Sequence, residues 1–281
     1  MARVLAGAVL LALTLAWSQE DNSREGSCST SPVVSVPSRP TVTSSTDTTA
    51  CGVLEAEYGL ERQFPGEGVH RDDLSGGLRL GLTHNLDFHW HSADFVHIMD
   101  QAGDRTGFAD NWLGPRYRFS SQTRRRPSLG VSYSLKIPAS SVGLGLSSGR
   151  VDHSLAFLAS KDFRRLHFDF NAIELLAGRP GVAGFDHNTG LALSASLSLA
   201  HQLSLVLESY GYTQLNASGP AYASTMAGLA WEVRPRLYLD GGWDTGLSSD
   251  APRGRAFLGV TCAIGNAYRW AGRIFRSGTT L

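Results

Sequence analysis

With 25 basic and 25 acidic side chains in 281 residues, the chain has no positive surplus to neutralise a phosphate backbone, which argues against a nucleic-acid partner. Hydrophobic residues make up 42% and charged ones only 18%. Beyond the N-terminus no apolar run reaches the ~18 residues of a membrane helix, and amphipathic helical stretches are almost absent, which argues against a soluble α/β enzyme.

The first residues read as a targeting segment. Arg3 supplies a positive start and Val4 to Trp17 an apolar run of signal-peptide length, with small residues at Ala16 and Ser18 for cleavage before Gln19. Residues 1–18 are therefore expected to be a signal peptide. Residues 19–51 are rich in Ser, Thr and Pro and show no periodicity, so they are expected to form a disordered periplasmic linker. Cys28 and Cys51 flank this stretch; an oxidising compartment permits a disulfide between them, and two free thiols are equally compatible with the sequence. Cys28 lies too far beyond the apolar run to be a lipid-attachment site. Cys262, in phase with Leu258, Val260 and Ile264, reads as a small apolar side chain facing lipid.

From Gly52 onward the chain alternates. Leu54, Ala56, Tyr58 and Leu60 interleave with Glu55, Glu57 and Glu61, and Leu78, Leu80 and Leu82 with Arg79 and Thr83. Leu86, Phe88 and Trp90 follow a short turn, opposed by Asp87, His89 and His91. Leu113, Tyr117 and Phe119 oppose Arg116 and Arg118, and Leu129 to Ile137 oppose Gly130, Ser132, Ser134 and Lys136. Leu155, Phe157 and Ala159 begin a sixth segment, and Phe168, Phe170 and Ala172 alternate with His167, Asp169 and Asn171. The clearest run is Leu191, Leu193, Ala195, Leu197 and Leu199 against Ser194, Ser196 and Ser198. Leu203, Leu205 and Leu207 oppose Ser204 and Glu208; Leu229, Trp231 and Val233 oppose Gly228, Ala230 and Glu232; Leu237, Leu239 and Trp243 oppose Tyr238, Asp240 and Asp244. The last segment runs from Arg255 to about Gly265.

A period of two is that of a β-strand whose faces meet different environments. Tight turns (His84-Asn85, Arg164-Arg165, His201-Gln202, Arg234-Pro235) alternate with long Gly/Pro/Ser-rich connections such as Ser140 to Asp152 and Gly178 to Asn188. Short turns at one end and long loops at the other predict an all-β fold: a transmembrane antiparallel β-barrel of the bacterial outer membrane, about 12 strands, over residues 52–266. Aromatic residues near strand ends, among them Trp90, Phe119, Tyr133, Trp231 and Trp243, suit the bilayer boundary. A soluble sandwich would carry a Lys- and Glu-rich outer face instead. With an even strand count both termini are expected in the periplasm, and residues 267–281 form a basic extension through Arg269, Arg273 and Arg276.

Several stretches resemble one family. Ser160-Lys161-Asp162-Phe163, Leu207-Glu208-Ser209-Tyr210-Gly211-Tyr212, Leu239 to Leu247, Arg255 to Thr261 and Asp110-Asn111-Trp112 are similar to the outer-membrane transporters described as "putative MetA-pathway of phenol degradation". The resemblance covers about Val53 to Asn266. It implies passage of aromatic compounds and carries no set of functional residues with it.

By strand phase Glu55, Glu57, Arg79, Arg116, Arg118, Lys136, Asp162, Asp169, Glu208, Asp240 and Asp244 face the lumen. Mixed signs there suit a water-filled eyelet that orients dipolar solutes; the same charges also suit a small barrel that fills its interior by pairing them. The channel reading is preferred: passive passage of small solutes, aromatic or apolar, with outer-membrane lipid and the barrel-assembly machinery as further partners. A non-conducting structural or adhesion barrel is the alternative. His153-Ser154 and His167 offer the residue types of a hydrolase without a constellation, so no catalytic residue is assigned and no enzyme expected. His89 and His91 share a face, as a metal pair would, but lining or rim roles suffice for them; no metal and no cofactor is expected.

Overall fold

The computed structural model describes residues 27–66, 68–101, 103–139, 142, 145–214, 221–249 and 251–271. The expected signal peptide and the end of the C-terminal extension lie outside them. The described residues contain thirteen strands in one antiparallel sheet. They are β1 (Val53–Gly66), β2 (Val69–Gly81), β3 (Leu86–Asp100), β4 (Gly103–Phe108), β5 (Asn111–Ser120), β6 (Ser128–Ile137) and β7 (Asp152–Phe163). The second half contributes β8 (Leu166–Gly178), β9 (Phe185–Ala200), β10 (Leu203–Tyr212), β11 (Tyr222–Arg234), β12 (Leu237–Gly246) and β13 (Gly254–Asn266).

Twelve of these close the barrel. β1 pairs with β13 from Val53↔Asn266 to Phe64↔Gly254, and β2 pairs with β3, so the sheet has no free edge around its circumference. Closure pairs the ladder N–H and C=O groups around the ring, as a hydrocarbon surrounding demands. β4 stands outside the ring. It is a hairpin partner of the upper part of β3, from Phe95↔Phe108 to Asp100↔Gly103, whereas β5 pairs with β3 only from Leu86 to His91. The connections after the first and third segments, expected as loops, are thus largely strand. The other end keeps its tight turns; that at Arg164-Arg165 places Arg164 at φ 57°, the left-handed backbone of a two-residue hairpin.

The outward phase is apolar and exposed: Leu60, Trp90, Phe119, Phe170, Leu193, Leu207, Trp231, Trp243, Leu258 and Ile264 all belong to it. Cys262 is free and lies in that phase, paired with Ala56 and Leu237. The inward phase is polar, and Glu55, Asp87, Thr261 and Asp244 are fully or almost fully buried.

The Ser/Thr/Pro-rich stretch before β1 corrects the expectation of disorder. Ser35 to Ala50 lie against the inside of the barrel, and Cys28 and Cys51 are joined by a disulfide, with Cα atoms 5.0 Å apart. The described part of the C-terminal extension, residues 267–271, is a helical turn. It sits across the base of this segment: Ala267 donates its N–H to Gly52, Arg269 Nε donates to the Ser29 carbonyl at 3.1 Å, and Asn266 Nδ2 to that of Cys28 at 2.7 Å.

Candidate functional site: the barrel lumen

The segment between the two cysteines is a closed loop that rises into the lumen, crosses it and returns. Ser35 donates its N–H to the Pro235 carbonyl at the β11–β12 turn. Val36 N–H then donates to Glu55 Oε2 at 2.7 Å, and Ser38 N–H to Glu57 Oε1 at 2.6 Å. At the top of the rise Arg39 reaches Asp240 at 3.3 Å and Glu61 at 4.0 Å. Two inward glycines opposite one another, Gly59 and Gly259, make the notch for its guanidinium: a Cβ on either would lie within 2.4 Å of it.

The crossing comes at mid-height. Glu208, midway along β10, accepts the N–H of Val42 at 3.0 Å, that of Thr43 at 2.6 Å and the Thr43 hydroxyl. The Asn171 amide pairs with the Ser44 backbone in both directions, 2.7 and 2.8 Å. Thr46 N–H donates to Ser160 Oγ and its hydroxyl is shared with Ser128, each at 2.8 Å. On the return, Arg118 reaches Asp47 at 3.2 Å, and Thr49 N–H donates to Asp87 Oδ2 at 2.8 Å.

The eleven charges expected from phase to face the lumen all have partners among the described residues. Glu55, Glu57, Glu208 and Asp240 hold the loop. Arg79 lies between Glu55 and Glu57 and also donates to the Ser38 hydroxyl and the Val36 carbonyl. Arg116 pairs with Asp87 and donates to the Ser45 carbonyl at 3.2 Å; Arg118 also contacts Asn85. Nearer the long-loop end, Lys136 bridges Asp110 and Asp152. Asp244 accepts from Tyr210 and Ser224, both at 2.8 Å, and from Arg255, which also pairs with Glu61 at 3.0 Å. Asp162 and Asp169 flank His167 at 2.7 and 3.0 Å. Val206, Met226 and Phe257 form a small apolar cluster in the same lumen.

The remaining candidates separate. His89 lies 2.9 Å from the Ser134 hydroxyl and His91 2.9 Å from Asp94, so each imidazole has a local partner. Among the described residues, the group that brings three possible metal ligands together is Cys28, Cys51 and His84, and its two sulfurs are bonded to each other. His153 contacts the Tyr133 hydroxyl at 2.7 Å in the outward phase, while Ser154, the next residue, points inward, so the two do not converge. Sequence reasoning missed Arg39, Glu61, Asp87, Asn171 and Arg255 as lumen partners.

Beside the loop is a cavity of about 770 Å³. The loop from Ser35 to Ser45 forms one wall, and the inward faces of β8 to β12 the other. It extends to the β9–β10 turn at His201 and Gln202, and so to the short-turn end.

Comparison with solved structures gives a consistent fold. An outer membrane channel from Pseudomonas putida F1 is 14% identical, with 85% of this chain and 99% of that chain covered at a TM-score of 0.60. The NanC porin is 10% identical over 74% of this chain and 98% of its own, at 0.51. The KdgM porin, solved in complex with disordered oligogalacturonate, is 10% identical over 75% and 99%, also at 0.51. No curated protein matches the chain. The family described as "Putative MetA-pathway of phenol degradation" matches residues 38–263.

Proposed function

We propose, for a chain that belongs to the family described as "Putative MetA-pathway of phenol degradation", an outer-membrane channel for passive passage of small solutes whose lumen is governed by residues 31–50. The observation that carries this reading is the pairing of a cavity of about 770 Å³ with a luminal loop held almost entirely by hydrogen bonds and ion pairs. Such contacts exchange for water at a net cost of about 1 kcal/mol for a neutral pair and about 1.5–3 kcal/mol for one to a charged group. A loop attached in this way is able to leave a water-filled lumen, where a loop anchored by apolar side chains would not.

The short turns face the periplasm and the long loops the outside, as in other barrels of this kind. Both termini of the barrel domain and the base of the loop then lie on the periplasmic side, where an oxidising environment keeps the Cys28–Cys51 bond. Insertion through the barrel-assembly machinery fits the same placement. The solutes are small molecules, the aromatic compounds named in the family's description among them.

Single-channel recording of refolded protein in a planar bilayer tests this. The intact chain is expected to give small steps, and deletion of residues 31–50 larger and more persistent ones. A deletion variant that folds, as judged by a heat-modifiable band, and stays silent would overturn the channel reading.

A further inference from the structure

The cavity beside the loop has two walls of different character. On the loop side the polar groups are committed: Thr41 Oγ1 to the carbonyls of Ser38 and Thr43, Thr43 to Glu208, and Ser35 Oγ to the Arg236 carbonyl. On the barrel side stand Ser194, Ser196, Ser198 and Ser204. Ser198 and Ser204 face each other across β9 and β10. The three on β9 alternate along one strand, so their side chains share a face at a spacing of about 6.8 Å.

None of these four hydroxyls has a hydrogen-bond partner among the described residues. Ser194 is the most telling, because its relative exposure is 2% and its neighbours across the sheet, Asp169 and Glu208, are already engaged. The Ser194 hydroxyl is not sealed off as an orphaned atom: it opens to the cavity, where water or the hydroxyl of a ligand completes it. The charges around the cavity are mostly spent. Asp169 is held by Ser160 and His167, His167 by two carboxylates, Asp47 by Arg118 and Arg39 by Asp240 and Glu61; the other ionisable side chains of the lining are Arg165, His201, Glu232 and Tyr238.

The geometry points to a binding site on this serine ladder for small uncharged solutes that carry several hydroxyl groups. A serine hydroxyl both donates and accepts, so it matches a hydroxyl on a ligand in either sense. Among the described residues of the lining, Arg39 is already paired, so a carboxylate entering the cavity would find no free cation beyond Arg165 and His201, and a hydrocarbon would leave the hydroxyls dry. This rests on the channel reading above and names the class of solute at that site.

Saturation-transfer NMR on the full chain in detergent micelles, with arabinose as ligand and gluconate as its anionic comparison, tests the site without requiring conduction. Arabinose is expected to show transfer in the wild type and in the lipid-facing control Ser209→Ala. The combined variant Ser194→Ala, Ser196→Ala, Ser198→Ala and Ser204→Ala is expected to lose at least about threefold of that signal, the scale of one net hydrogen bond or more. Equal signals in the wild type and the combined variant, or stronger transfer to gluconate, would overturn the inference. Arabinose binding to the full chain, together with a folded 31–50 deletion variant that stays silent in bilayers, would keep the site and remove the channel.

Discussion

The disulfide sets how firmly the luminal loop is held, and its contribution follows from chain entropy. Cys28 and Cys51 are 23 positions apart. When the loop leaves the lumen, the bond confines it to a ring; with the bond broken, it becomes a tail free at one end. Closing a ring of this size removes roughly 11 cal/mol/K from the undocked chain, or about 3 kcal/mol at 25 °C. Breaking the bond therefore favours undocking by a factor on the order of 10². Hydrogen exchange of the full chain in micelles reads that equilibrium directly, because Val36, Ser38, Val42, Thr43, Thr46 and Thr49 donate their N–H groups to wall side chains only while docked. Under reductant, or in the double variant Cys28→Ser with Cys51→Ser, exchange at these amides is expected to accelerate by that factor while the strand amides keep their rates. Unchanged exchange in both would refute the reasoning, since the loop would then be held by something other than what the structure shows.

Two further substitutions test the faces of the wall. Gly259→Val places carbon where the Arg39 guanidinium lies, a Cβ there being 2.2 Å from Arg39 Nε; exchange at residues 36–43 is expected to rise with the barrel intact, and unaltered exchange would mean that the notch is not needed for docking. Leu258→Arg, one residue away on the outward face with 68% relative exposure, is expected to cost about 2–4 kcal/mol if it lies near the bilayer midplane, read as a lower denaturation midpoint in liposomes, and no loss would contradict the assignment of that face to lipid.

The barrel was legible because its signal is repeated. Most strands between Leu54 and Ile264 place leucine and aromatic side chains outward and polar ones inward, with Val206, Met226 and Phe257 as apolar exceptions inside, and between the register shifts the pairing follows that phase, as in Leu205↔Leu229 and Glu208↔Met226. The β3–β4 hairpin was not legible, because Ala93 to His97 does not alternate cleanly and β4, with Asp104, Arg105 and Thr106, reads as loop. Its stability comes from pairing with β3, which is tertiary information.

The luminal loop escaped for a different reason. A stretch such as Thr41-Val42-Thr43-Ser44-Ser45-Thr46 is unable to build an apolar core, and that is the ground on which it reads as disorder. Inside a polar barrel the criterion inverts: what such a segment needs is acceptors for its N–H groups, and Glu55, Glu57, Asp87, Asn171 and Glu208 supply them from strands up to 166 positions away. The inward carboxylates were visible in the sequence, yet their partners were not, because a carboxylate facing water and one facing a backbone N–H leave the same residue in the same phase. The physics of those contacts also bears on what the loop does. A packed interior gains stability from apolar burial and stays shut; here Val42, the loop's exposed aliphatic, remains 37% accessible at the crossing. Polar contacts that water replaces at small net cost, on a tether whose ends are fixed together at the base, describe a segment whose position in the lumen is a matter of balance, and the serine-lined cavity beside it is the space that balance controls.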